Sequence, residues 1–186
     1  MSTASVPSAA GTTTWNVDNS HTLVEFSVRH LMISTVKGRF GEVSGKVIAN
    51  DADPTQSQID VTINAASIDT REAQRDTHLK SADFFDVEKF PSLTFRSTKI
   101  EKASGDDLKV TGDLTIRGTT REVVLAVTSE GRVTDPWGGE RTGYSATTKI
   151  KRSEFGLTWN VALETGGVVV GDDIKIALEV ELVKQA

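Results

Sequence analysis

Ile174-Lys175-Ile176-Ala177-Leu178-Glu179-Val180-Glu181-Leu182 carries the clearest pattern in this 186-residue chain. Apolar residues occupy every second position, against Lys175, Ala177, Glu179 and Glu181. Successive side chains of an extended strand point to opposite faces, so the segment has one dry and one wet side. A parallel strand covered by helices on both faces would be apolar throughout. The alternation therefore predicts antiparallel sheet.

The same rhythm runs outward from this segment. Val24, Phe26 and Val28 alternate with Glu25, Ser27 and Arg29; Ile59, Val61 and Ile63 alternate with Asp60, Thr62 and Asn64. Leu108, Val110, Gly112, Leu114 and Ile116 share one parity, and Tyr144, Ala146, Thr148 and Ile150 share another. Turn signals separate these runs at Asn50–Pro54, Ser104–Asp107, Arg117–Thr120 and Asp135–Gly139. Roughly eight strands follow in sequential order. One stretch, Asp69 to Phe85, breaks the rhythm. Asp69 with Glu72 reads as a capping box and the following residues form helices well, which predicts a helix over Arg71–Ser81. A short turn is expected over Leu157–Leu163, and a disordered polar tail over Met1–Thr14 before a single domain over 15–186. Eight one-sided strands can split into a sandwich or close into a barrel. Long strands joined by sequential hairpins favour an all-β, antiparallel, eight-stranded up-and-down barrel, wide enough to be filled by side chains or to hold one small ligand. The helix would cap an end or plug a side.

Composition excludes several function classes. The formal charge is −5, with 37% hydrophobic and 25% charged residues, which argues against a broad basic nucleic-acid face. There is no cysteine, so disulfides, thiol catalysis and Cys-ligated metals are excluded. The histidines are His21, His30 and His78, and no two have helical metal-ligand spacing. The pairs Asp51/Asp53, Asp106/Asp107 and Asp172/Asp173 sit in turns, where turn chemistry accounts for them. Gly166–Gly171 lacks the spacing and βα context of a dinucleotide loop. No apolar run approaches the ~20 residues of a membrane-spanning helix, and the first residues lack a secretory signal, so a cytoplasmic location is expected.

Five blocks carry a resemblance. They are Trp15–His30 with Gly38-Arg39-Phe40 and Gly45, Arg75–Asp86, Phe90–Phe95, Gly112–Thr120, and Arg152–Gly156. In this order they resemble the YceI-like family, lipocalin-like proteins that bind polyisoprenoids, over nearly everything from Trp15 to Lys184. The resemblance implies an eight-stranded barrel with a helix around a long lipid pocket. It also implies binding of an isoprenoid chain, such as a polyprenyl phosphate or a quinone tail. Many relatives carry a periplasmic signal, and this chain departs from them.

The dry face could be packing or lining. Phe26, Val28, Phe40, Leu114, Ile116, Ile150, Ile176 and Leu178 would simply fill an ordinary core, whereas under the resemblance they line an apolar tunnel. Phe95 and Phe155, from the matching blocks, join that set. Leu79, Phe84 and Phe85 read as a lid below the helix, with core packing as the equal alternative. Gly112 and Ala146 leave room on the dry parity. Counting by twos brings His30 and Arg152 inward at strand ends, where a cation must be paired or meet an anion. The helix adds Arg75 and His78, with Arg71 on the face of Arg75. These four, His30, Arg75, His78 and Arg152, are the head-group candidates. The bland alternatives are hydrogen bonds to Asp76, Asp83 or Glu154, and neutralisation of the helix arginines by Glu72 and Asp76.

Three functions compete. The first is a non-enzymatic binder, carrier or store of a long-chain isoprenoid lipid, with no cofactor beyond that lipid. The second is a lipid-modifying enzyme using His30, His78 and Asp76 as acid–base groups, although no nucleophile or metal set accompanies them. The third is a protein-interaction module on a filled barrel. Each is compatible with a homodimer. The first implies transient membrane contact without a spanning segment, and none involves nucleic acid.

Overall fold

The computed structural model describes residues 11–186. Eleven strands follow in chain order: β1 (Thr12–Val17), β2 (Leu23–His30), β3 (Ser34–Phe40), β4 (Val43–Asn50), β5 (Gln58–Asn64), β6 (Ile68–Asp69), β7 (Ser92–Lys102), β8 (Leu108–Ile116), β9 (Thr119–Thr134), β10 (Glu140–Lys151) and β11 (Asp173–Lys184). The α-helix among the described residues, α1, spans Ala73–Lys80 between β6 and β7.

These eleven segments make eight staves. β1 and β2 both lie on β11, with Val17 opposite Leu182 and Leu23 opposite Glu179, so they form one stave bent at Asn19–His21. β3 and β4 form the next, pairing with β2 and β1 respectively. β5 and β6 form the third, pairing with β4 and β3. β7 to β10 follow as an antiparallel meander, and β11 returns to the first stave. The result is a closed eight-stranded antiparallel barrel. The three bends adjoin one another. Asn19 Oδ1 accepts the Val43 N–H across 2.6 Å. The Gly41 N–H donates to Ser67 O, and the Asn64 N–H to Glu42 O. Side chains and loop carbonyls thus replace the ladder bonds each bend gives up, as buried backbone requires.

The boundaries differ locally from expectation. β1 begins at Thr12, inside the stretch read as a tail, because Thr12–Thr14 pair with β4; residues 1–10 lie outside the described residues. The helix starts two residues late. Asp69 accepts from the Arg71 N–H, making a turn with Arg71 at φ 67°, and Glu72 is the cap, accepting from the Gln74 and Arg75 N–H groups. The expected turn at Leu157–Leu163 is instead a 3₁₀ turn at Arg152–Phe155, closed by Gly156 at φ 79°, a left-handed conformation that glycine adopts without steric cost.

The barrel has a helix end and an opposite end. Helix α1, the β2–β3 and β8–β9 turns and the long β10–β11 connection crowd the first. There His78 meets Trp159 edge-on at 4.7 Å between ring centroids, and Phe84 meets Trp159 at 5.4 Å, joining the helix segment to that connection. The helix therefore caps an end.

Candidate functional site

Alternation in every stave turns apolar side chains inward, and they enclose a cavity of about 390 Å³, within the range of small-molecule sites. All thirteen side chains expected to form the tunnel line it: Phe26, Val28, Phe40, Leu79, Phe84, Phe85, Phe95, Leu114, Ile116, Ile150, Phe155, Ile176 and Leu178. The lumen is hollow. On β11, Ile174, Ile176, Leu178 and Val180 face inward yet are only half-buried, while Lys175 and Glu179 face out and are exposed. A packed core would bury the inward set completely. Val43, Val47, Leu93, Val123 and Val127 also line the cavity and were readable from the same parity. Leu157 and Val170 line it from the β10–β11 connection, where no period marks them. Gly112 opens no niche: a Cβ there would stand 2.4 Å from the ring of Phe95, which fills the space. Ala146 does lie in the lining.

The four head-group candidates separate. Arg152 lines the cavity at the helix end and is 6% exposed. Its guanidinium donates to the carbonyls of Leu157 (2.7 Å), Gly171 (2.8 Å), Trp159 (2.9 Å) and Val170 (3.2 Å). None of Asp76, Asp83 or Glu154 pairs with it. Burial pushes its pKa down, opposed by the charge of Asp172. Arg75 does not reach the lumen; it donates to Thr70 Oγ1 and Thr70 O and ties the helix to the residue that follows β6. His78 bonds Asp83 Oδ2 at 2.8 Å and packs on Phe84 and Trp159. His30 is half-buried, bridges Val170 through its backbone, and is outside the cavity lining. Polar groups also line the opposite end, where Asn50, Asp51 and Ser57 stand.

Two other features lie outside the lumen. Asp18, His21 and Glu181 bring ligand atoms within 4.8 Å of one another, but Arg141 already bonds both carboxylates at 2.8 Å and supplies the cation. The second is a groove of about 430 Å³ on the wall between β9 and β10. Their ladder stops at Thr147 opposite Ala126, and Val123, Ile150 and Phe155 border both groove and lumen.

The YceI-like domain family profile matches residues 15–182. The chain belongs to the YceI-like family. Protein YceI of Salmonella newport is 38% identical over 168 residues, covering 90% of this chain and 84% of the relative. The YCEI protein of Campylobacter jejuni superposes with a TM-score of 0.73 at 36% identity, over 85% of this chain and 90% of that one. Burkholderia cenocepacia BcnA superposes at 0.76 with 26% identity, over 89% and 98%. A polyisoprenoid-binding domain from Saccharophagus degradans shares the fold, with a TM-score of 0.65 at 14% identity over 92% and 98%.

Proposed function

We propose that this chain binds a long-chain isoprenoid lipid inside its barrel, as a carrier or store and not as an enzyme. The hollow apolar lumen carries this reading. A prenyl tail there would gain about 0.8 kcal/mol for each CH₂ removed from water, without any hydrogen bond. The polyisoprenoid-binding domain that shares this fold supports the ligand class. Arg152 supports a polar or anionic head group, such as a phosphate or a quinone oxygen, at the helix end. It is a buried cation in the cavity wall, its guanidinium held by backbone carbonyls, with no carboxylate among the described residues in ion-pair contact. The acid–base alternative lacks an assembled site. Asp76 is engaged by Thr70, His78 by Asp83, and neither they nor His30 line the lumen.

Organic extraction of the purified protein followed by mass spectrometry tests the proposal. An isoprenoid co-purifying in stoichiometric amount is the expected result. A protein that carries nothing apolar and takes up no prenyl lipid when offered one would overturn it.

A further inference from the structure

Two phenylalanines of the lumen lie on glycines. Phe26 of β2 is the direct cross-strand partner of Gly38 of β3. A Cβ at Gly38 would stand 2.4 Å from Cζ and 2.9 Å from Cε1 of that ring, and 2.9 Å from Cγ2 of Thr70. Across the barrel, Phe95 of β7 lies over Gly112 of β8, whose Cβ would stand 2.4 Å from Cζ, 2.6 Å from Cε2 and 2.6 Å from the Arg96 carbonyl oxygen. Gly112 pairs with Ser97, two residues along the strand from Phe95, so the ring reaches it diagonally.

Neither glycine is among the residues with positive φ, so neither backbone needs glycine for its conformation. Glycine within a strand is unfavourable by roughly 0.5–1 kcal/mol relative to alanine. What these two supply is space: the missing side chain is a notch that the outer edge of a ring occupies. Both rings line the cavity, so their attitude sets how much of the bore remains. At Gly38 every close atom belongs to a side chain: the ring of Phe26 can rotate away from an added methyl, whereas Cγ2 of Thr70, whose hydroxyl is held by Arg75 and Asp76, has to give slightly, and neither contact is to backbone.

We infer that the glycine notches under Phe26 and Phe95 hold the lumen wide enough for a methyl-branched isoprenoid chain, and so select it over a straight acyl chain. This rests on the lumen being the lipid site. A prenyl chain carries a methyl branch on every fourth backbone carbon and is thicker than a saturated chain. A ring lifted off its notch meets those branches first.

The test compares binding of radiolabelled geranylgeraniol and palmitate to delipidated protein, in wild type and Gly38→Ala. Geranylgeraniol affinity is expected to fall about tenfold or more and palmitate affinity less than about threefold, the scale set by one misplaced methyl group in an apolar pocket. Adding Phe26→Leu to Gly38→Ala should restore geranylgeraniol binding, since the shorter side chain clears the bore. Phe26→Trp, which leaves the glycine untouched, should mimic Gly38→Ala because the indole overfills the notch; it answers the question if Gly38→Ala does not fold. Equal losses for both ligands, no loss in a folded variant, or failure of the leucine rescue would overturn the inference. Wild type binding neither ligand would instead overturn the lipid reading itself.

Discussion

The guanidinium of Arg152 donates to the carbonyl oxygen of Leu157 across 2.7 Å, inside the helix end of the barrel. Three more carbonyls, from Trp159, Val170 and Gly171, surround the same group. One planar side chain thus pins both arms of the β10–β11 connection. Arg152→Ala should cost about 3 kcal/mol of unfolding free energy, because it removes the donor from the buried Leu157 carbonyl and from the part-buried carbonyls of Trp159 and Gly171 at once, while the Val170 carbonyl keeps Asn160 Nδ2. Arg152→Lys should recover less than half of that, since a point-charge ammonium with three donors cannot reproduce the fork. Urea unfolding of the two variants checks it; full recovery by lysine would show that charge alone matters.

His21 Nδ1 lies 2.8 Å from Asp18 Oδ2 at the first bend. The hydrogen bond to Asp18, with the charge of Glu181 behind it, raises the His21 pKa, while His21, then Ser20 and Arg141, hold Asp18 well below the usual carboxylate range. The folded imidazole therefore binds its proton more tightly than the unfolded one. Its contribution is fully present below the unfolded value of about 6.5 and disappears as pH rises through the higher folded value. An NMR titration of His21 should show a midpoint above that of an unperturbed histidine, and Asp18→Asn should bring it down. A midpoint unchanged by Asp18→Asn would refute the assignment.

Inward residues should not cost alike when truncated. Both Ile100 and Ile176 line the lumen, but Ile100 is 6% exposed within the packed cluster, whereas Ile176 is only half-buried. Ile100→Ala should lose about 2–5 kcal/mol, the usual range for a buried aliphatic cut to alanine. Ile176→Ala should lose clearly less, because part of its surface already faces empty space. Chemical denaturation of the lipid-free protein decides this, and equal losses would mean that the interior is packed throughout.

Where β9 leaves β10, its edge should exchange amide protons. The Val124 carbonyl accepts from Thr148 Oγ1 across the gap, so the Val124 and Glu122 backbone groups face β10, while Val123 and Leu125 face β8. Native-state hydrogen exchange should be faster at Glu122 and Val124 than at Val123 and Leu125. Uniform protection along Glu122–Leu125 would show that the wall is sealed in solution.

Much of the barrel was legible because its information is local and repeated. The parity of Ile174, Ile176 and Leu178, or of Leu114 and Ile116, depends only on the period of an extended chain, and all five line the cavity. The helix was legible as a break in that period, but its start was not. Asp69 and Glu72 both suit a cap, and the choice fell to Glu72 because Asp69 is taken up by the Arg71 turn. Counting by twos turned both His30 and Arg152 inward, yet only Arg152 lines the lumen. Its carbonyl partners sit in an aperiodic connection that no counting rule reaches.

By itself, then, the sequence determined which face of each strand is apolar, where the chain turns, and the blocks that mark the family, because side-chain period and turn chemistry act over a few residues. Only the tertiary structure decided that the interior is hollow, that eleven segments join into eight staves, and that Gly112 holds the ring of Phe95 instead of empty room. Those outcomes depend on closure of the sheet. Closure sets how far apart opposite walls stand and which ring meets which glycine, and it arises from pairings between residues as distant in sequence as Trp15 and Lys184.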